Sequence, residues 1–144
     1  MGHDLNKDEK IRREVILHSP VVAIVGRSDD HYYTSYQVGE YLIQEGFTVY
    51  NVNPNLEDID GEDVYKSLKD IPEKVNIVDV FRRSDFLPEV VQEAIDIGAE
   101  TVWAQLDVVN DEARKKALDA GLNFAQNICL RTEHERMFKG IIRG

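Results

Sequence analysis

The chain has 144 residues, of which 42% are hydrophobic and 31% are charged, as in a single globular domain that spans residues 1–144. Its formal net charge of −10 argues against binding to a nucleic-acid backbone or to an anionic membrane surface. No apolar run approaches the roughly 20 residues of a membrane span. A single cysteine, Cys129, cannot form an internal disulfide, so we expect a protein of the reducing cytoplasm.

The first clear strand is predicted at residues 21–25, after an amphipathic helix within residues 4–18 that should pack on the sheet. Five consecutive apolar residues, rich in valine, are typical of a strand buried on both faces. Gly26 ends this strand, and Thr34 with Gln37 then has the spacing of a capping box at a helix start. A strand, a glycine turn and a helix together predict a phosphate site, because backbone N–H groups and the positive helix end attract anions.

The rest of the chain alternates helices and strands, with a glycine before most strands. Further strands are predicted at residues 47–52, 75–80, 101–104 and 122–125, and helices at about 34–45, 85–97, 111–120 and 132–139. In the acidic segment 55–74, Val64, Tyr65 and Leu68 predict a short helix. This alternation predicts an α/β, Rossmann-like parallel sheet of five strands in the order 3-2-1-4-5, with helices on both faces. The ligand cleft should lie beyond the carboxyl ends of strands one and four.

The turn at Gly26-Arg27-Ser28 departs from the dinucleotide fingerprint, because serine stands where the second glycine is needed. The turn can still hold a phosphate through backbone N–H groups and the hydroxyls of Ser28 and Ser35; a plain strand-to-helix turn is the alternative. At the end of strand two, Asn53-Pro54 lacks the acid with which NAD-binding domains hold the ribose. A ligand with a phosphate on its ribose is therefore favoured, either coenzyme A or NADP.

Arg82 and Arg83 follow the third predicted strand and bring two cations to the predicted cleft of an acidic chain. Guanidinium groups bind phosphate bidentately and stack on adenine, so at least one arginine is expected to contact the ligand; pairing with nearby carboxylates is the alternative. Trp103 at the end of strand four is more typical of a core residue. Gln105 is predicted to face the cleft, where it could bond an amide chain. Cys129 is expected to be a small buried hydrophobe, with a mixed disulfide to a ligand thiol as a minor alternative.

No arrangement of side chains in the sequence predicts catalysis. A Ser/His/Asp set in a recognised setting, an HExxH motif and a zinc-binding spacing of cysteine and histidine are all absent from the sequence. A protein that binds its ligand without catalysis is therefore favoured, and a protein partner or a homo-oligomer remains open. An NADP-linked reductase is the alternative, although the chain lacks the G-x-G-x-x-G motif that such an enzyme needs.

Several motifs, taken together, resemble one family. They are Val25-Gly26-Arg27-Ser28, Ser35-Tyr36, Val52-Asn53-Pro54, Ile77-Val78-Asp79-Val80-Phe81-Arg82-Arg83-Ser84, Val102-Trp103-Ala104-Gln105-Leu106 and residues 129–134. The chain from about residue 21 to residue 134 resembles the stand-alone CoA-binding domain proteins of bacteria and archaea. These proteins are similar to the N-terminal domain of the succinyl-CoA synthetase alpha subunit.

The resemblance implies that the chain binds coenzyme A or acyl-CoA on a Rossmann-like domain. It implies that Gly26-Arg27-Ser28 and Ser35, with Tyr36 beside it, hold the diphosphate. Asn53-Pro54 and Val80-Phe81-Arg82-Arg83 would frame the adenosine and its phosphate, and Trp103 with Gln105 would border the pantetheine arm. In the synthetases, catalysis needs a phosphorylated histidine on a second domain and an ATP-grasp partner. This sequence contains neither, so the resemblance implies binding, and a subunit of a split acyl-CoA ligase is the alternative.

Overall fold

The structure, a computed structural model, describes residues 2–139, which form a seven-stranded sheet with helices on both faces. The strands are β1 (Val21–Val25), β2 (Thr48–Val52), β3 (Asp58–Ile59), β4 (Glu62–Tyr65), β5 (Ile77–Val80), β6 (Thr101–Ala104) and β7 (Asn123–Ala125). The helices are α1 (Glu9–Leu17), α2 (Thr34–Gln44), α3 (Leu87–Asp96), α4 (Asp111–Asp119) and α5 (Leu130–His134). A π-helical turn at Glu135–Lys139 continues α5, and 3-10 turns lie at Leu68–Asp70 and Ser84–Phe86.

The sheet confirms the predicted Rossmann-like α/β class, but the predicted number and order of strands are wrong. The order is β3-β4-β2-β1-β5-β6-β7, and every pair is parallel except β3 with β4. The third predicted strand, residues 75–80, pairs with β1, because β4 takes the place beside β2. The winding therefore reverses between β1 and β5. The crevice that this reversal creates lies above their carboxyl ends, one strand away from its predicted position.

A β-hairpin occupies the segment in which a short helix was predicted. Strands β3 and β4 pair across a two-residue turn in which Asp60 and Gly61 have positive φ angles of 53° and 84°. Asp-Gly is a favoured sequence for this turn, because both positions need the left-handed region. Val64 and Tyr65 therefore lie in a strand, while Leu68 lies in a 3-10 turn. As β4 runs parallel to β2, its following residues reach the same edge of the sheet as those after β2.

The sheet separates two apolar clusters, and the buried strand β1 contributes to both. Ala23 and Val25 pack with residues of α3 and α4 on one face, while Val22 and Ile24 pack with residues of α1, α2 and α5 on the other. This alternation follows from the pleat of a strand, and it matches the prediction that β1 is covered on both faces. Among the described helices, none is long and apolar enough to cross a bilayer.

The N-terminal segment covers the edge of the sheet beside β7. The Leu5 N–H donates to the Phe124 carbonyl at 2.8 Å, and the Phe124 N–H donates to the His3 carbonyl at 3.0 Å. Helix α1 then begins under a cap from Asp8, whose Oδ1 accepts from the Ile11 N–H at 3.0 Å. This segment pairs with backbone groups of β7 that would otherwise be unpaired at the edge of the sheet.

Candidate functional site

A cleft lies at the carboxyl ends of β1, β2, β4 and β5, and it has two lobes. The first, here called the turn lobe, has a volume of about 490 Å³ and is lined by Gly26, Ser28, Asp29, Tyr33, Thr34, Ser35, Asn53, Asn55, Leu56 and Phe81. The second, the strand lobe, has a volume of about 440 Å³ and is lined by Val25, Gly26, Val52, Asn53, Pro54, Asn55, Lys66, Ser67, Leu68, Arg82, Glu89 and Glu93. The lobes share Gly26, Asn53 and Asn55, so one extended ligand can occupy both.

Gly26 makes the close approach on which the junction of the two lobes depends. Its φ angle is 88°, and a Cβ at this position would lie 2.6 Å from the carbonyl oxygen of Phe81. A side chain would therefore meet both backbone strain and a backbone clash. The glycine lets the loop after β1 pass directly against the loop after β5. It leaves bare backbone, rather than a side chain, between the two lobes.

The N-terminus of α2 opens on the turn lobe without a side-chain cap. The predicted capping box is wrong, because the N-cap residue is Tyr33 and its side chain makes no capping bond. Gln37 instead donates through Nε2 to the His31 carbonyl at 3.1 Å. Thr34 and Ser35, the first residues of the helix, line the lobe. The uncapped N–H groups and the positive end of the helix dipole are therefore available to an anion there.

The side chain of Arg27 lies beneath α2, away from the cleft. It is 1% exposed, and its guanidinium donates to Asn51 Oδ1 at 2.7 Å, to Glu40 Oε2 at 2.9 Å and to the Tyr36 carbonyl at 3.2 Å. A Cβ on Gly39 would lie 2.4 Å from Arg27 Nε, so α2 crosses directly over the guanidinium. Arg27 thus joins β1, β2 and α2, and only its backbone belongs to the turn. Ligand contact by its side chain stays a sequence-based prediction.

Tyr36 also faces away from the turn lobe, in a cluster with Asp60 and His31. The Tyr36 hydroxyl donates to Asp60 Oδ2, and the ring stacks on His31 with 4.1 Å between centroids. His31 Nε2 lies 3.1 Å from Asp60 Oδ1. The bond to the carboxylate raises the pKa of Tyr36 to about 12 and lowers the pKa of Asp60. This cluster connects the loop after β1 with the β3–β4 hairpin.

The guanidinium groups of the two adjacent arginines after β5 both lie over the ring of Phe86, but the arginines differ in their other surroundings. Arg82 lines the strand lobe, and its guanidinium carbon lies 4.1 Å from the centroid of the Phe86 ring. The Arg83 side chain is 77% exposed and lies 3.7 Å from Asp85 Oδ1. Arg82 is therefore the member of the pair that is positioned to meet a ligand in the cleft. Arg83 adopts the carboxylate pairing that the sequence left open for it.

Three further residues of the predicted site are buried and line neither lobe of the cleft: Val80, Trp103 and Gln105. Trp103 Nε1 donates to the Ile128 carbonyl at 2.9 Å, and Gln105 Nε2 donates to the carboxylate of Asp79. Complete burial raises the pKa of Asp79 to about 7, although the bond from Gln105 opposes this shift. The other oxygen of Asp79 has no partner within the described residues. Contact of Trp103, Gln105 and Val80 with a ligand stays a prediction.

Sequence reasoning missed the part of the cleft that comes from β4 and α3. Lys66 and Ser67 follow β4, while Glu89 and Glu93 lie on α3; all four line the strand lobe. The Asp60-Gly61 pair was the available signal, because an Asp-Gly turn between short runs indicates a hairpin. With β4 placed beside β2, Lys66 would have been expected at the carboxyl edge of the sheet.

The chain is similar in sequence and in fold to several known proteins. A family model for a CoA binding domain matches residues 20–135. The uncharacterized protein YneT of Bacillus subtilis (strain 168) is 34% identical over 122 residues, which are 85% of this chain and 90% of the relative. The structure of a hypothetical protein from Pyrococcus horikoshii OT3 is 41% identical and superposes with a TM-score of 0.86, over 90% of this chain and 91% of that one.

A more distant similarity concerns the fold alone. The apo form of dinucleotide forming acetyl-coenzyme A synthetase 1 from Ca. Korarchaeum cryptofilum is 22% identical and superposes with a TM-score of 0.66. The match covers 76% of this chain and 26% of the synthetase. The described sheet and its helices therefore recur as one part of a much larger chain.

Proposed function

Because the chain belongs to the CoA-binding domain family, we propose that it binds coenzyme A or acyl-CoA in the two-lobed cleft. The observation that carries the proposal is the junction at Gly26, where an open helix N-terminus on one side meets a lobe with cationic side chains on the other. The diphosphate occupies the turn lobe, and the adenosine occupies the strand lobe. The shared residues between the lobes then lie against the ribose.

The turn lobe supplies donors for the diphosphate. Ser35 Oγ accepts the Ser28 N–H at 2.9 Å, and Ser28 Oγ accepts the Asp30 N–H at 2.9 Å. A hydroxyl that accepts one bond still has its own proton to donate, so both serines are poised to donate to phosphate oxygens. Together with the first-turn N–H groups of α2, these donors make a site for negative charge in an acidic protein.

The strand lobe suits the adenosine. Val25, Val52 and Leu68 are buried apolar residues that line it, and Pro54 and Arg82 also border it. An arginine beside a planar base can stack on its face. At the end of β2, Asn53 uses Nδ2 to bond the Arg27 carbonyl at 3.0 Å, and no carboxylate follows the strand directly. NAD, whose ribose diol is usually held by such a carboxylate, is therefore disfavoured.

Isothermal titration calorimetry with coenzyme A, NADP and NAD tests the proposal. We expect coenzyme A to bind with a sub-millimolar Kd and NAD to bind much more weakly, because the cleft offers donors for phosphate but has no carboxylate directly after β2 to hold the ribose diol. Excess absorbance of the purified protein at the adenine maximum would be an additional sign of retained ligand. Tight binding of NAD together with no binding of coenzyme A would contradict the proposal.

A further inference from the structure

A second cation, Lys66, lines the strand lobe together with Arg82. We propose that Lys66 binds a phosphate group carried on the ribose of the nucleotide and so makes the site selective for ligands that carry this phosphate. The inference rests on the proposed function, since that function fixes which end of the nucleotide enters the strand lobe. It adds a specificity-determining residue to that site.

The order of the strands places Lys66 last in a row of three residues, each of which directly follows one of three neighbouring strands. Gly26 follows β1, Asn53 follows β2 and Lys66 follows β4, and these strands are consecutive in the sheet. The Asn53 N–H donates to the Tyr65 carbonyl at 3.0 Å, so Lys66 is level with the end of β2. Two strand spacings, about 10 Å, separate the Gly26 turn from the β4 end. With the diphosphate at the turn, that distance fits a ribose followed by its phosphate and the lysine side chain.

The present partners of Lys66 leave its charge available to a ligand. Lys66 Nζ lies 2.9 Å from the Leu56 carbonyl oxygen and 2.9 Å from Glu57 Oε1. The Glu57 side chain is 89% exposed and the Lys66 side chain is 46% exposed, so their ion pair is hydrated and contributes little. A phosphate monoester carries a charge of about −1.5 to −2 at neutral pH and offers several acceptor oxygens. Exchange of Glu57 for this phosphate is therefore favourable, while the Leu56 carbonyl keeps the ammonium oriented.

The side of the strand lobe that α3 forms is unfavourable for a phosphate, which leaves the side beside Lys66. Glu89 and Glu93 of α3 line that side, and burial is the main cause of a raised pKa at Glu93. Arg82 interacts electrostatically with Glu93 and offsets part of this effect. A phosphate near α3 would face two carboxyl groups, whereas beside β4 it meets Lys66 and the hydroxyl of Ser67. The two sides of the lobe thus differ, because Arg82 shares the α3 side with Glu89 and Glu93, whereas no carboxyl group of the described residues lines the lobe on the β4 side.

The test compares coenzyme A with 3′-dephospho-coenzyme A, and NADP with NAD, by calorimetry. For the wild-type protein we expect coenzyme A to bind about tenfold more tightly than its dephospho form, as for one charge-assisted contact. Lys66→Gln should abolish this ratio by weakening coenzyme A alone. Lys74→Gln is the matched control. Lys74 also pairs with a carboxylate, that of Glu100, but it lies at the amino ends of the strands, away from the strand lobe. A comparable ratio for NADP over NAD would identify a 2′-phosphate as a second accepted group.

A second variant separates the ligand role of Lys66 from its role in the loop. Glu57→Gln removes the competing carboxylate and keeps Lys66, so we expect coenzyme A to bind a few-fold more tightly and the dephospho form to be unaffected. Equal loss of both ligands in Lys66→Gln, or an unchanged ratio, would overturn the inference and leave the proposed function standing. Failure of the wild-type protein to bind either form of coenzyme A would instead overturn the proposed function itself.

Discussion

At the scale of single residues, position in the chain did not determine what a side chain contacts. Arg27 and Arg82 each follow a strand of the central sheet, yet one guanidinium is buried under α2 and the other lines the strand lobe. The difference comes from Gly39, which lets α2 cross close over Arg27. Sequence patterns place a residue at the end of a strand, but the direction of its side chain depends on the element that packs there.

Arg27→Met should lower the stability of the folded protein but leave the contacts between the cleft and coenzyme A unchanged. The substitution leaves Asn51 and Glu40 without their buried donor, so we expect the free energy of unfolding to fall by about 2–4 kcal/mol. Urea denaturation measures this change. Arg83→Met is the control, and we expect less than about 0.5 kcal/mol because its side chain is mostly exposed. Unchanged stability with lost coenzyme A binding in Arg27→Met would show that the guanidinium serves the ligand instead.

Asp79 should make the stability of the protein depend on pH. Its pKa is about 7 in the folded state and near the ordinary aspartate value of 3.8 when unfolded, so the folded state holds a proton that the unfolded state loses between these values. The contribution of Asp79 to the free energy of unfolding therefore falls as the pH rises from about 4 to about 7, by up to about 4 kcal/mol. Asp79→Asn has a neutral side chain at every pH in this range, so it should remove this pH dependence of the stability.

Urea titrations of the wild type and of Asp79→Asn at pH 5 and pH 8 provide the measurement. The comparison between the two proteins is needed because Glu93 has a raised pKa, whereas Asp60 and Glu45 have lowered ones and act in the opposite direction. We expect Asp79→Asn to gain stability relative to the wild type at pH 8. The same difference between the two proteins at both pH values would contradict the assigned protonation.

At the scale of elements, the hydrophobic patterns predicted the central strands and the helices, but not the hairpin. Strand β1 is a continuous apolar run, and β5 and β6 are apolar apart from Asp79 and Thr101, as expected for strands that are buried on both faces. Strand β4 is short, acidic and partly exposed, so no periodicity marks it. Its place is set by parallel pairing with β2, a long-range contact that only the Asp60-Gly61 turn indicated. Missing this one strand displaced the predicted cleft by one strand.

The hairpin should depend on Asp60 for its attachment to the loop after β1. Asp60→Ala removes the acceptor for Tyr36 and His31 and leaves alanine at a positive φ, so we expect a loss of about 1–2 kcal/mol of stability. Amide exchange should become faster in β3 and β4 before it does in α3 and α4. Asp60→Asn should largely rescue both effects, because asparagine tolerates this φ and can accept from Tyr36.

Asp63→Ala is the matched control for the hairpin, since Asp63 is exposed in β4 and takes part in the described bonds only through its backbone carbonyl. It should leave amide exchange in β3 unchanged. If Asp60→Ala and Asp63→Ala behave alike, the cluster of Tyr36, His31 and Asp60 does not hold the hairpin in place.

At the scale of the whole molecule, cavities lie at both ends of the strands, and either end is a candidate binding site. The carboxyl edge is the side of the sheet where the parallel strands end, and the amino edge is the side where they begin. The carboxyl edge carries the turn lobe and the strand lobe, whereas the amino edge has a smaller cavity of about 210 Å³ lined by apolar residues of α1, the π-helical turn and Phe47, with Glu45 and His134 beside them. Burial lowers the pKa of His134, so its imidazole is mainly neutral near neutral pH. A nucleotide with several phosphates therefore finds its donors at the carboxyl edge.

Hydrogen exchange with and without coenzyme A distinguishes these edges. We expect slower amide exchange in residues 26–35, 53–57, 66–68 and 81–83, because each of these loops borders a lobe, and little change in residues 17–20 and 45–47. A ligand that binds only the folded state adds stability to the whole chain, about 2.7 kcal/mol at a concentration one hundred times Kd. The most stable amides of β1 and β5 should therefore also slow by a common factor. Protection confined to residues 17–20 and 45–47 would place the ligand at the amino edge and contradict the assignment of the cleft.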